Sequence, residues 1–377
     1  MADGVRDAVS RALVIGGTGP TGPDVLRALL ARGNDVTILH TGRHEPADPV
    51  LAEVEHIHAD PHFRETLTES VRGREFDLVV AMYGRMVLNV EVFAGRCERF
   101  VSVGGNPGHR GALTRRTSAP EGMQILANEE SPTTIESTTS RERFGLKIAE
   151  AERAVFAAHR AGAFSATHVR YPIIYGTRSM SWLERWAVRR ITSGHRRLLV
   201  PDGGLSIYSQ CAARNAAHAI GLVLDAPDVA GGQLYQCADD RQYSVAQWLE
   251  LIAQHLGASI EIVSAPLDLA RPVWPLLPLG PLATRHSLVD TTKIRRELGY
   301  ADVVDPVDAI GELVRHLAAT PELTAPDHDD PAGEAAVIAA MDRAREELTA
   351  SLDWVPFEDK PDWHPYAHPK APGTEDS

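Results

Sequence analysis

The hydrophobic positions of this chain form short continuous runs that alternate with amphipathic stretches. The first run, 12–16 (ALVIG), ends in glycines and leads into an amphipathic stretch at 21–32, which predicts a strand, a tight turn and a helix. The same alternation predicts further strands at 35–39, 53–58, 77–82, 99–103, 166–171 and 233–237, and helices at 61–72, 86–96, 141–161, 210–225 and 334–352. Strands that alternate with helices predict an α/β fold with a parallel sheet covered on both faces.

The length of 377 residues predicts two lobes rather than one minimal core. Residues 1–175 are expected to form the larger lobe, and 209–239 to return to it with a helix and a strand. Residues 176–208 and 240–320 are expected to form a smaller C-terminal lobe. The remaining 321–377 contain stretches rich in Pro, Asp and His around one amphipathic run, which predicts a linker, a helix and a tail.

Charge and composition exclude several classes of partner. The 38 Lys and Arg against 51 Asp and Glu give a formal charge of −13, which repels a phosphate backbone, so we expect no nucleic-acid partner. No segment approaches about 18 uninterrupted apolar residues, and we expect neither export nor a membrane span.

Cys97, Cys211 and Cys237 are too widely spaced for a disulfide framework, which favours a cytoplasmic protein. His364 and His368 are each followed by Pro, so we expect no helical metal pair.

A glycine-rich turn, GGTGPTG, stands between the first predicted strand and the first predicted helix. Glycine permits a tight turn and the close approach of backbone to a pyrophosphate, while the N–H groups that open the helix favour negative charge. In this context the turn predicts a dinucleotide site in a Rossmann-type, doubly wound parallel sheet, with the smaller lobe placed to take a substrate. The predicted cofactor residues of the turn are Gly16, Gly17, Thr18, Gly19, Pro20, Thr21 and Gly22.

The spacing of Gly16, Gly19 and Gly22 resembles the TGxxGxxG fingerprint of the short-chain dehydrogenase/reductase superfamily. Three further segments, in the right order along 11–315, resemble the extended branch that includes sugar-nucleotide epimerases and dehydratases. They are the acidic-Pro segment Glu129, Glu130, Ser131, Pro132; the RPxxVYG-like Arg170, Pro172, Tyr175, Gly176; and the D-x-x-K…LG-like Asp290, Lys293, Leu298, Gly299, Tyr300. The resemblance implies an NAD(P)-binding Rossmann fold of the epimerase/dehydratase kind.

Cofactor preference is expected to be set where the second strand ends. An acidic residue there would accept hydrogen bonds from the ribose of NAD, whereas this chain carries Arg43, which can pair with a 2′-phosphate. We therefore expect NADP(H), with NAD(H) as the weaker ligand; the alternative is that Arg43 is an ordinary exposed loop arginine. The resemblance also implies that Asp60 binds the adenine amino group and that 81–83 (Ala81, Met82, Tyr83) contact the cofactor ribose.

The family's catalytic Ser, Tyr and Lys are not found at the matching positions. Alignment on the downstream EAERAV places Phe144 at the Tyr position and Ile148 at the Lys position, while Gly104 and Gly105 stand where the family carries its Ser/Thr pair. Aligning on Lys147 instead puts Arg143 at the Tyr position, so either alignment removes the phenol. The chain is thus identified as an atypical member of the family, which without that set must orient the hydride donor by other residues.

Three residues are candidates for a replacement acid: Tyr83 after the fourth strand, His109 after the fifth, and Lys147 on the long helix. Each also has an ordinary explanation. Tyr83 could pack against the cofactor, His109 could be a solvated loop histidine, and Lys147 could be an exposed helix lysine. The sequence alone does not choose among these.

The function predicted from these features is an atypical NADP(H)-dependent reductase for a small, fairly apolar, non-nucleotide carbonyl or imine-like substrate. The turn at 201–210 lacks the basic residue with which sugar-nucleotide members grip the second pyrophosphate. The apolar, Pro-rich segment 272–283 suits a pocket wall, and core packing or the interface of a homodimer explains it equally well. Two alternatives stay open: a non-redox elimination, isomerisation or cyclisation with bound nicotinamide, and a catalytically silent NADP(H)-binding sensor.

Overall fold

The computed structural model of the chain describes residues 9–43, 45–113, 120–137, 139–179, 182–266, 285–324, 330–352 and 354. The chain divides into two compact units, 1–329 and 330–377. The predicted pocket-wall segment 272–283 and the tail histidines lie outside the described residues.

A seven-stranded parallel sheet is the centre of the first unit, with the strand order β10-β6-β5-β4-β1-β2-β3. Its strands are β1 (Arg11–Ile15), β2 (Asp35–His40), β3 (Glu55–His58), β4 (Leu78–Ala81), β5 (Arg99–Gly105), β6 (Ser165–Tyr171) and β10 (Leu234–Gln236). Every neighbouring pair in this sheet is parallel. The order reverses beside β1, and in such sheets ligands bind outside the carboxyl ends of the strands at this point.

Both faces of this sheet are covered, as the alternation of buried residues along β1 shows. Ala12 and Val14 pack into one apolar cluster with α1 and α6, while Leu13 and Ile15 pack into a second cluster with α2, α3 and α4. The α-helices among the described residues of the unit are α1 (Gly22–Leu30), α2 (Arg64–Ser70), α3 (Met86–Phe93), α4 (Ser140–Arg160), α5 (Trp182–Thr192), α6 (Ala213–Asp225), α7 (Pro227–Ala230), α8 (Val245–His255), α9 (Thr292–Leu298) and α10 (Pro306–Ala319). The predicted doubly wound Rossmann-type fold is therefore confirmed.

A third apolar cluster is built mainly from α5, α8 and α10. Two short parallel pairs accompany it: β7 (Ile173–Tyr175) with β9 (Gln210–Ala212), and β8 (Arg197–Pro201) with β11 (Glu261–Ala265). The chain leaves the large sheet after β6 and returns to it at β10, whose residues pair with β6. The boundaries of two functional lobes stay a prediction.

The second unit contains α11 (Pro331–Ser351), which begins three residues before the helix predicted at 334–352. Asp330 caps it, because its carboxylate accepts a hydrogen bond from the Gly333 N–H at 2.8 Å. Among the described residues, none of the helices combines the length and apolar character needed to cross a membrane.

Candidate cofactor cleft

The three glycines of the fingerprint meet different physical demands. Gly16 has φ +91°, and a Cβ there would lie 2.3 Å from the Cβ of Tyr83. A Cβ on Gly22 would lie 2.0 Å from the carbonyl oxygen of Gly17, so only glycine lets α1 begin this close to the turn. A Cβ on Gly19 would have one neighbour within 4 Å, the Gly16 oxygen at 3.7 Å. Gly19 therefore leaves open space beside the backbone, as a pyrophosphate site requires.

That space belongs to a cavity of about 900 Å³ at the carboxyl ends of the strands. Seven of the predicted cofactor residues line it: Gly16, Thr18, Gly19, Pro20, Thr21, Met82 and Tyr83. Gly17 and Ala81 instead lie in the packed structure beneath it: a Cβ on Gly17 would lie 3.1 Å from the Ile38 side chain, and Ala81 is fully buried at the end of β4. The structure thus brings the glycine turn and the end of β4 to one cleft.

Arg43 and Asp60 lie apart from the walls of this cavity. Arg43 is exposed, and its backbone N–H contacts the Thr41 hydroxyl at 3.5 Å. Asp60 Oδ1 accepts hydrogen bonds from the backbone N–H of His62 at 2.9 Å and from its Nδ1 at 2.8 Å, which lowers the pKa of Asp60. The roles predicted for both residues in cofactor binding stay predictions.

The cavity also has walls that the sequence analysis did not identify. They come from the end of β2, from β5 to β7, and from α5 and α10 with the turn after it: His40, Thr41, Glu45, Pro46, Ala47, Val103, Tyr171, Ile174, Thr177, Arg178, Arg185, His316 and Leu323. His40, Thr41 and Val103 stand at or near the carboxyl ends of buried strands, and this position could have identified them from the sequence as lining a ligand site. The contribution of α10 depends on where the fold places this helix relative to the sheet, and no local sequence pattern predicts that placement.

Arg178 is positioned by a buried carboxylate. Both Arg178 and Arg27 pair with Asp48, the latter at 2.5 Å, and these two guanidinium groups hold the pKa of Asp48 below its usual value against the effect of burial. One negative charge thus ties α1 to the segment after β7. Arg27 pairs with Asp24 as well, at 2.8 Å, so the two guanidinium groups and the two carboxylates balance in charge.

At the carboxyl end of β5 the backbone is packed tightly by side chains. A Cβ on Gly104 would lie 2.3 Å from Nε2 of His168, and one on Gly108 would lie 3.0 Å from Cγ2 of Ile148. A Cβ on Gly145 of α4 would lie 2.5 Å from the Pro107 oxygen. The space beside Gly104 is thus filled by His168 of β6, and Ile148 of α4 packs against Gly108 of this turn.

Below this turn lies a buried polar network that includes His109. His109 is 1% exposed, and its Nε2 lies 2.6 Å from Gln236 Oε1 and 3.3 Å from Arg170. Arg170 in turn forms two hydrogen bonds with Glu152 of α4, at 2.7 and 2.8 Å. Burial, followed by the charge of Arg170, lowers the pKa of His109 to about 4. The imidazole is neutral at pH 7 and anchors β6 to β10, so it is not a solvated loop histidine.

His168 is a second neutral histidine in the same region. It is fully buried on β6, its Nδ1 lies 2.7 Å from the Ser102 hydroxyl, and burial lowers its pKa to about 4 despite Glu152 at 3.8 Å. It fills the space that a side chain at position 104 would need.

The other two predicted acids are exposed. Tyr83 lines the cavity with 48% of its surface exposed, and its ring meets His62 edge-on at 5.0 Å. Lys147 is exposed on α4, and Phe144, at the family's Tyr position, is 56% exposed. Of the three candidates, Tyr83 alone belongs to the described wall of the cavity. The structure therefore does not bring the three together.

The two downstream motifs have structural roles. Tyr175 donates a hydrogen bond to Asp239 at 2.7 Å, and burial raises the pKa of Tyr175. Lys293 donates to the Leu234 carbonyl at 3.0 Å and lies over the Tyr235 ring, which fixes α9 to β10. The motif residues thus hold the return of the chain to the sheet.

Comparison with known proteins gives two curated relatives, and no family model matches the sequence. The chain is 25% identical over 325 residues to a 4-hydroxy-2-methyl-3-oxo-4-farnesyl-3,4-dihydroquinoline-1-oxide ketoreductase of Stigmatella aurantiaca, covering 77% of this chain and 92% of that protein. It is 26% identical over 265 residues to a 3-diazoavenalumate denitrifying reductase of a Streptomyces species, covering 66% and 82%. Both relatives are named as reductases.

Solved structures share the fold at lower identity. UDP-glucose 4-epimerase from Thermotoga maritima, solved with UDP-glucose, superposes with a TM-score of 0.65 at 15% identity, covering 82% of this chain and 99% of that one. dTDP-glucose 4,6-dehydratase from Bacillus anthracis, solved with NAD, gives 0.63 at 15% identity, covering 84% and 98%. The chain therefore shares the fold of these epimerase and dehydratase structures, and its curated relatives are reductases, as the resemblance to the extended short-chain dehydrogenase/reductase superfamily implies.

Proposed function

We propose that the protein is an NADP(H)-dependent reductase that transfers hydride to a ring-containing, largely apolar carbonyl or imine-like substrate. The observation that carries the proposal is the glycine turn, whose open side at Gly19 faces a cavity large enough for a dinucleotide. The names of the two curated relatives, a ketoreductase of a dihydroquinoline oxide and a denitrifying reductase, support a reductase.

The dinucleotide is expected to run across the carboxyl edge of the sheet. Its pyrophosphate would meet the N–H groups of the turn and the start of α1. Its adenosine half would lie over β2 and β3, beside His40 and Thr41, and its nicotinamide half would lie over β5 and β6, beside Val103 and Tyr171. A bound nicotinamide supplies the hydride, and the chain's residues orient it and exclude water.

The preference for NADP(H) rests on positive charge at the end of β2. Arg43 is exposed there, and its charge already acts on Asp60. Glu45 lines the cavity nearby, and its carboxylate is engaged by His58, whose Nε2 lies 3.1 Å away. A 2′-phosphate would then meet one full positive charge.

The proton is expected to come from water. The ring of Tyr83 points towards His62, which follows β3, and so lies on the adenosine side of the cleft. His109 is buried and neutral, and Lys147 is exposed on α4. Catalysis would then depend on orienting the reactants rather than on a positioned acid.

An apolar substrate fits the wall beyond the nicotinamide end. Ile174 and Leu323 line the large cavity there. A smaller cavity of about 150 Å³ is lined by Pro107, Leu113 and Pro172, among other residues. These surfaces would exclude water from the hydride and favour rings over sugars.

Calorimetry tests cofactor binding first. NADPH should bind at least tenfold more tightly than NADH, and Arg43→Ala should remove that difference, whereas Arg64→Ala, an exposed arginine on α2, should keep it. Gly19→Leu should abolish the binding of both. Equal affinity of wild type for the two cofactors would overturn the role of Arg43, and binding by Gly19→Leu would overturn the site.

Labelled cofactor tests the chemistry. Incubation with 4R- or 4S-deuterated NADPH and a panel of bicyclic aromatic ketones and imines should give one alcohol or amine that carries deuterium, with loss of one NADPH per product. Product without deuterium and without loss of NADPH would establish the non-redox alternative instead. Tight cofactor binding with no product from any panel member would favour the sensor.

A further inference from the structure

Three imidazoles and a carboxylate meet where β2 and β3 end. His40 is the last residue of β2, and His56 and His58 lie on β3, which pairs with β2 in parallel so that His40 is opposite His58. Glu45 follows in the next loop. One nitrogen from each ring and one oxygen of Glu45 all lie within 4.8 Å of one another.

We propose that His40, Glu45 and His58 bind a divalent first-row transition ion such as Zn²⁺, with His56 orienting His40. Neutral imidazole and carboxylate are the ligands that Zn²⁺ takes from proteins, and a set of two imidazoles and one carboxylate leaves a fourth position open. The proposal concerns a metal site and does not depend on the reaction proposed above.

The distances suit a single ion. Oε1 of Glu45 lies 3.1 Å from Nε2 of His58 and 3.7 Å from Nδ1 of His40. Ligand atoms about 2.0–2.1 Å from one tetrahedral Zn²⁺ are separated from each other by roughly 3.3 Å. The ligand atoms of the cluster all lie within 4.8 Å of one another, so closing the site needs small shifts of side chains, of which those of Glu45 and His58 are exposed.

The hydrogen bonds around the cluster fix the tautomers of His56 and His40. Nε2–H of His56 donates to the Leu51 carbonyl at 2.7 Å, which leaves His56 Nδ1 as an acceptor. Nε2–H of His40 then donates to that atom at 3.0 Å, and the Nδ1 lone pair of His40, which accepts the Gly42 N–H at 3.2 Å and lies 3.7 Å from Glu45 Oε1, is the one that the ion would take. A metal-bound histidine whose other nitrogen donates to an outer partner is the usual arrangement in proteins.

The cluster opens onto the cleft described above. His40 and Glu45 both line the large cavity, so the open fourth position would face the cleft.

Titration of the chelator-treated, untagged full chain with Zn²⁺ alone tests the site. Calorimetry should show one ion per chain with a dissociation constant in the micromolar range or below. His58→Ala and Glu45→Gln should each weaken binding at least tenfold. Both residues are exposed, with 59% and 43% of their side-chain surface accessible, so the variants should fold. Binding of Zn²⁺ by wild type and His58→Ala with equal affinity would overturn the assignment.

Two controls make the result specific. His218→Ala, a half-buried imidazole on α6, and the double change of His364 and His368 to Ala should both bind Zn²⁺ as wild type does. Co²⁺ in place of Zn²⁺ should give the visible absorption of a four-coordinate ion, and that band should disappear in Glu45→Gln. His56→Ala should weaken binding about 10–100-fold, the range for loss of an outer partner. Loss of binding in the tail variant would place the ion elsewhere.

Discussion

Two glycine-rich turns at the same edge of the sheet behave in opposite ways. The turn after β1 has its open side at Gly19, where a Cβ would meet one atom at 3.7 Å. The turn after β5 is filled: His168 lies beneath Gly104, and Ile148 lies against Gly108. In the first turn glycine leaves room for a ligand, and in the second it leaves room for the protein itself. Glycine content alone therefore does not identify a ligand site; the neighbours of the missing side chain do.

The largest effect is expected within the first turn, where two glycines differ. Gly22→Ala should lower the free energy of unfolding by about 3 kcal/mol, because its Cβ would lie 2.0 Å from the Gly17 oxygen. Gly19→Ala should change it by less than about 1 kcal/mol and instead weaken NADPH binding at least tenfold. Urea denaturation and calorimetry measure the two effects, and equal loss of stability in both variants would contradict the distinction.

In the second turn, restoring a family-like side chain is expected to destabilise the fold. Gly104→Ser should cost about 2 kcal/mol, since its Cβ would lie 2.3 Å from the fully buried His168. Combining it with His168→Ala should cost less than the sum of the two single changes. Additive costs in this double-mutant cycle would show that His168 is not what fills the position.

The buried histidines beneath the second turn predict a pH dependence. The pKa of His109 is about 4 in the folded chain and about 6.5 when the residue is exposed. Between pH 6.5 and 4, His109 is therefore protonated in the unfolded chain and neutral in the folded chain. The free energy of unfolding should therefore fall by about 1 kcal/mol per pH unit as the pH drops from about 6.5 to 4, because of this imidazole alone. Above pH 7 this contribution should not change.

His109→Gln should flatten this dependence by that amount. Unfolding free energies at pH 7 and pH 5 measure it. His255→Gln, a partly buried histidine on α8, provides the comparison. An unchanged slope in His109→Gln would mean that His109 is not held neutral.

The smallest effect is expected on α4. Phe144→Tyr should leave stability within about 0.5 kcal/mol, since the ring is 56% exposed. It should create no new dehydrogenase activity, because Ile148 stands where the lysine that lowers the phenol pKa would be. Turnover with NADP⁺ and simple alcohols measures this, and strong new activity would show that the ungapped alignment is wrong.

The sequence specified much of the fold because its signals are local. Each predicted strand of the large sheet lies within about two residues of an observed one, and the predicted helices follow the same pattern. The glycine turn was readable because the strand, the turn and the helix are contiguous. Five of its predicted cofactor residues line the cavity for the same reason.

Less of the candidate site could be predicted from the sequence, because its remaining residues are far apart along the chain and come together only in the folded structure. His109 looked like a loop histidine in the sequence, yet Gln236 of β10 and Arg170 of β6 enclose it, from positions far along the chain. His40 and His58 looked unrelated until the parallel pairing of β2 with β3 placed them opposite each other. Residue patterns do not encode such register.

The sequence by itself thus determined the parallel sheet and the position of the glycine turn between its first strand and first helix. The tertiary structure decided which glycines face open space, which histidines are buried and neutral, and which carboxylate meets which imidazole. The physical reason is range: strand, helix and turn propensities act over a few residues, whereas burial and charge pairing depend on neighbours that are distant in the chain.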